Sequence, residues 1–70
     1  MTDEEFLNRL GKSIAKARKV AGMSQAELGA KINMEKSNLS AIENGRQNAA
    51  SLTLKRIADA LEVEVLIFFQ

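Results

Sequence analysis

The first candidates for chemistry in this chain are nine acidic residues and five serines, one of them in the triplet Gly11-Lys12-Ser13. There is no histidine and no cysteine. A serine hydroxyl therefore has no imidazole base beside it, and the commonest metal ligands are missing. Gly11-Lys12-Ser13 has the look of the end of a phosphate-binding loop. That motif, however, needs a glycine where Phe6 stands and a strand ahead of it, and here the triplet lies inside a helical pattern. The acids are scattered or placed where helices begin. No catalytic residue, metal or cofactor is assigned, and the chain is not expected to be an enzyme.

Binding is then the remaining role, and residues 36–43, Lys-Ser-Asn-Leu-Ser-Ala-Ile-Glu, are the most informative stretch. On a helical wheel Leu39 and Ile42 share one side, Lys36, Ser37, Ser40 and Ala41 share the other, and Asn38 lies on the flank. An ordinary solvated helix face would favour Glu, Lys and Gln over Ser, Asn and Ala. Small polar side chains let a helix backbone press into a narrow, charged slot, and the major groove of B-DNA is such a slot.

Charge placement supports a polyanionic partner. The net charge is only +1, but all ten basic residues fall between Arg9 and Arg56, a stretch with only three acids, Glu27, Glu35 and Glu43. A solvated, lysine-rich helical surface is the plainer explanation of the same pattern. Met1 to Glu5 is acidic and lacks the apolar run of a secretory signal. The longest apolar run, Val65 to Phe69, is far below the about 20 residues needed to span a bilayer. With no cysteine, a soluble, cytoplasmic protein is expected.

A chain of 70 residues makes one domain. Its expected architecture is all-α, with four to five short helices around a helix-turn-helix. A first helix from about Glu4 to Ala21 carries Phe6, Leu7, Leu10, Ile14, Ala17 and Ala21 on one face and Arg9, Lys12, Lys16 and Lys19 on the other, and Gly22 ends it. Ser24-Gln25-Ala26-Glu27 is a capping box opening helix two, which Asn33 stops. Helix three must start near Glu35 or Lys36, after a tight turn. Ser51 is expected to cap a fourth helix carrying Leu54, Ile57, Ala58 and Leu61. The tail, residues 62–70, alternates β-branched and aromatic residues with others. It reads as a strand paired across a two-fold axis, with a short fifth helix as the competing reading. In either form Val65, Ile67, Phe68 and Phe69 are expected at a dimer seam. Residues 1–61 would then form the binding domain and 62–70 a dimerisation segment of the same domain.

The stretch MSQAELGAKINMEKSNLSAIENGR, followed by SLTLKRIADAL, resembles the Cro and phage-repressor (XRE) type of helix-turn-helix DNA-binding domain over about Leu10 to Leu61. The likeness rests on Arg18, on Ser24-Gln25 with Glu27-Leu28, on Ile42 to Gly45, and on Ile57-Ala58 with Leu61. It implies that helix three is a recognition helix, with Lys36, Ser37, Ser40 and Ala41 meeting base edges and Asn38 a weaker candidate. It implies phosphate contacts from Gln25 at the start of helix two and from Asn44, Arg46, Gln47 and Asn48 in the loop after helix three. It also implies an ion pair between Arg18 and Glu43. Gly29 stands where the family usually has alanine, and Glu35 where it has a Ser or Thr cap.

The expected function is sequence-specific binding of double-stranded DNA as a homodimer, by a transcriptional repressor reading a near-palindromic operator. Two other functions fit the same residues. One is an antitoxin that binds a toxin protein as well as its operator, and the other is a helix-turn-helix module that binds proteins alone.

Overall fold

Thr2 starts the fold. Its hydroxyl accepts from the amide of Glu5 at 3.1 Å, and the Glu5 carboxylate accepts from the amide of Thr2 at 2.9 Å. This reciprocal cap begins α1, Asp3–Val20, one residue ahead of the expected start. The computed structural model describes residues 1–70 and continues with α2, Gln25–Ile32, α3, Lys36–Glu43, and α4, Ser51–Leu61, before a 3-10 segment at Val65–Phe69.

The helix boundaries have local causes. Gly22 turns the chain out of α1 at φ 75°. Ser24 and Glu27 form the expected capping box, with bonds of 3.0 and 2.9 Å. Asn33 stops α2 in the left-handed region at φ 57°. Three residues then suffice to reach α3, whose cap position is held by Glu35 without any side-chain bond. The expected cap at Ser51 is corrected. Ala50 takes that position, Ser51 is the first helical residue, and no side chain caps α4. The ladder begins instead with the amide of Leu54 donating to the carbonyl of Ala50 at 3.0 Å.

Leu10 and Ile14 of α1, Leu28 of α2, Leu39 and Ile42 of α3, and Leu54, Ile57, Ala58 and Leu61 of α4 form one core, closed by Phe68. Phe6 and Ala21 do not join it. Phe6 is 45% exposed and lies beside Phe69, with ring centroids 6.2 Å apart, and Ala21 is exposed.

The tail is the main departure from expectation. It forms no strand: the amide of Ile67 donates to the carbonyl of Glu64 at 3.1 Å, a local turn bond, and the segment packs on α1 and α4. A 3-10 turn repeats every three residues, so Val65 and Phe68 share a face. Phe68, expected at a dimer seam, is buried in the core of its own chain at 2% exposure. Filling that core site stabilises a single chain directly, whereas a strand needs hydrogen-bonding partners from elsewhere.

Candidate nucleic-acid interface

Two side chains seat α3. Leu39 and Ile42 are buried, and Glu43 is buried behind them. Its outer side presents Lys36, Ser37 and Asn38 exposed, with Ser40 and Ala41 half-buried. Lys36, Ser37, Ser40 and Ala41 therefore share one short helix face with Asn38 on its flank, and the side chains of Lys36, Ser37 and Asn38 make no hydrogen bond within the chain.

Behind this helix lies a polar cluster that links three helices. Nε of Arg18 donates to Oε2 of Glu43 at 2.7 Å, and its NH2 donates to Oε1 at 3.0 Å, a bidentate pair with both side chains under 10% exposed. The remaining guanidinium nitrogen donates to the carbonyl of Met23 at 2.8 Å, in the turn that launches α2. The hydrogen bonds that Arg18 donates to Glu43 raise its pKa above the ordinary value, outweighing the opposing effect of burial, so the guanidinium stays charged. Gln25, the first residue of α2, joins the cluster by donating its Nε2 to Oε1 of Glu43 at 2.9 Å. The expected Arg18–Glu43 pair is thus present. The tie to Gln25 went unforeseen, because a helix-opening glutamine gives no sign of which way its amide turns.

The loop after α3 continues from the end of that helix. Arg46, Gln47 and Asn48 are exposed and take part in no side-chain hydrogen bond or ion pair. Asn44 is differently engaged: its Nδ2 donates to the carbonyl of Ser40 at 2.8 Å and to the Ser40 hydroxyl at 3.3 Å, closing the end of α3. Arg9, Lys12, Lys16 and Lys19 are all exposed along α1, as its periodicity implied.

Two glycines let the helices meet closely enough to hold this arrangement. A Cβ on Gly11 would fall 2.6 Å from the carbonyl oxygen of Ile42 and would also strike that of Glu43, so α1 crosses the end of α3 with no room for a side chain. Gly11, part of the Gly-Lys-Ser triplet, thus serves the packing of α1 on α3, a role its motif does not suggest. A small residue on the apolar side of α1, between Leu7 and Ile14, was the available signal. A Cβ on Gly29 would fall 2.5 Å from the Met34 carbonyl oxygen, which accounts for glycine where the family usually has alanine.

A tight turn between two short helices, the second exposing a small polar face above a buried arginine–glutamate pair, defines a helix-turn-helix DNA-binding domain with the lambda-repressor-like arrangement. The chain belongs to the HTH_3 helix-turn-helix family of transcription regulators, whose family model matches residues 14–68. No curated protein matches the sequence. Among solved structures, the restriction-modification controller protein C.AhdI from Aeromonas hydrophila is similar with a TM-score of 0.86 and 25% identity, over 90% of this chain and 96% of that one. The wild-type restriction-modification controller C.Esp1396I is similar with a TM-score of 0.81 and 33% identity, over 91% of this chain and 84% of that one. An HTH_3 family transcriptional regulator from Vibrio cholerae is similar with a TM-score of 0.88 and 29% identity, over 97% of this chain but 38% of that longer one.

Proposed function

We propose that this protein represses transcription by binding a near-palindromic operator as a homodimer, in the manner of a small controller protein. The observation that carries the proposal is the outer face of α3, where Lys36, Ser37 and Asn38 stand exposed above a two-residue seat. Lys36 donates to guanine O6 or N7, Ser37 pairs with a base edge, and the Ala41 methyl meets a thymine methyl. Ser40 contributes from the same face, and Asn38 from its flank. Gln25, Arg46, Gln47 and Asn48 hold phosphates and fix the register, and Asn44 supports that loop from the end of α3.

The second chain is proposed to dock on the tail. Leu66 is 65% exposed and Phe69 48%, with Val65 and Ile67 at the edge of the same apolar surface. A two-fold dimer reading such an operator needs its two recognition helices about 34 Å apart, in successive major grooves on one side of the duplex. Similar helix-turn-helix antitoxins can end in a strand that completes a sheet across the dimer, and the tail here is a 3-10 turn.

Selection from a random duplex pool tests the whole proposal. An enriched site with two-fold symmetry and half-sites about one helical turn apart is expected. Affinity for it should fall with salt at a log–log slope of roughly −0.9 per phosphate contacted. Substituting Lys36 or Ser37 should cost about 1–3 kcal/mol and relax the preference at one base pair, whereas Arg46→Ala should weaken all sequences alike. Absence of duplex binding at low salt would falsify it.

A further inference from the structure

We infer that the buried Arg18–Glu43 pair does more than join helices: it holds Gln25 so that one amide hydrogen faces the carboxylate and the other is offered to a DNA phosphate. The inference rests on the DNA-binding function proposed above and assigns Glu43 the role of a positioning residue for the phosphate contact of Gln25.

The chemistry of the cluster fixes the orientation of the amide. A carboxylate has only acceptors, so the Gln25 atom 2.9 Å from Oε1 of Glu43 must be the nitrogen. That nitrogen carries two hydrogens. One is directed at Glu43, and the second remains available, because no other acceptor in the chain takes it. The carboxamide oxygen is turned away from Glu43 and repels an anion. A phosphate can therefore approach Gln25 productively from one direction only, with Nε2 bridging the buried carboxylate and the phosphate oxygen. A glutamine free to rotate would lose rotamer entropy on binding and would present its oxygen as often as its nitrogen.

Arg18 supplies the second requirement. A lone carboxylate beneath Gln25 would repel the phosphate that Gln25 is meant to hold. The guanidinium donates twice to Glu43, at 2.7 and 3.0 Å, and cancels its charge. Its third bond, to the Met23 carbonyl, fixes the turn from which Gln25 emerges. One buried pair thereby sets both the direction of the amide and the start of α2, whose neighbouring residue Ser24 is locked by its own capping box. The phosphate contact is built before DNA arrives.

A positioning role and a purely electrostatic one predict opposite signs for Glu43→Gln. Removing a negative charge near the backbone should tighten binding if charge alone matters, and should weaken it if the carboxylate orients Gln25. The test uses the full chain and the duplex enriched from the random pool. Gln25→Ala is expected to lower affinity roughly tenfold or more, the loss of a hydrogen bond to a charged group, and to leave the salt slope unchanged, because an uncharged amide releases no counterion. Glu43→Gln is expected to lower affinity in the wild-type background and to have little further effect in the Gln25→Ala background.

A spectroscopic readout covers the case in which Glu43→Gln folds poorly. In the free wild-type protein one of the two Gln25 side-chain amide protons should exchange with solvent more slowly than the other, and Glu43→Gln should reduce that difference. Duplex should shift only the faster-exchanging one. Equal losses from Glu43→Gln in both backgrounds, or equal exchange rates for the two amide protons, would overturn the inference. So would a Gln25→Ala protein that binds as tightly as wild type while Arg46→Ala weakens, and that result would leave the DNA-binding function intact. A wild-type protein that fails to bind duplex at low salt overturns both.

Discussion

Gly11→Ala offers a test in which two physical effects have opposite signs. Alanine is favoured over glycine in a helix interior by about 0.5–1 kcal/mol, so propensity alone predicts a more stable protein. Packing predicts the reverse. The added Cβ would lie 2.6 Å from the Ile42 carbonyl oxygen and 2.7 Å from the Glu43 carbonyl carbon, backbone atoms of a helix end that cannot rotate aside. Over-packing of this kind costs about 1–3 kcal/mol, leaving a net loss near 1 kcal/mol, or about 4–8 °C in Tm for a domain of this size. Because the displaced atoms belong to the last turn of α3, the recognition face and the Arg18–Glu43 pair should shift with them. Thermal unfolding followed by far-UV circular dichroism gives the stability, and titration with the selected duplex gives the binding. A Gly11→Ala protein that melts higher than wild type would refute the close crossing of α1 and α3.

Two further expectations follow from local geometry. Glu62 ends α4 in the left-handed region at φ 58°, a conformation that glycine adopts more readily, so Glu62→Gly should raise stability by up to about 1 kcal/mol. A lower Tm for that variant would count against the assigned cap. The carboxylates of Glu5 and Glu27 are held below their ordinary pKa of 4.5, chiefly by the backbone hydrogen bonds at Thr2 and Ser24. Because the folded pKa values are depressed, the stabilisation is present above that value and is lost as pH falls through the folded values. Tm measured down an acid series should therefore fall less steeply for Glu27→Gln than for wild type, and identical slopes would show that the α2 cap does not contribute.

Helix boundaries were legible where a side chain announces them, as at Ser24 with Glu27, at Gly22 and at Asn33. They were misjudged where backbone geometry acts alone: Ala50 caps α4 while the better capping residue, Ser51, stands one place too late. The outer face of α3 was legible because Leu39 and Ile42 leave only one side free. Gln25's partner was not, since the contact joins residues separated by 18 positions and depends on how α2 and α3 pack. The tail misled for a reason of periodicity. Over five apolar residues a period of two and a period of three are hard to tell apart, and both leave some side chains exposed. Strand geometry would group Phe68 with Leu66, whereas the 3-10 turn groups it with Val65 and sends Leu66 outward.

That grouping separates what the tail does for one chain from what it does for two. Phe68 faces inward, so Phe68→Ala should cost about 3–5 kcal/mol at any protein concentration, enough to threaten a domain this small. Leu66 faces outward and is 65% exposed, so Leu66→Glu should leave the core intact. If the tail is the dimer seam, association stabilises the folded state by mass action and the wild-type Tm must rise with concentration. Leu66→Glu should abolish that rise, scatter light as a monomer, and melt where wild type melts at high dilution. Truncation of residues 62–70 cannot make this distinction, because it removes Phe68 together with Leu66. A Leu66→Glu protein that stays dimeric, with a Tm that still rises with concentration as the wild type's does, would move the seam away from the tail and leave Leu66 and Phe69 exposed without a partner.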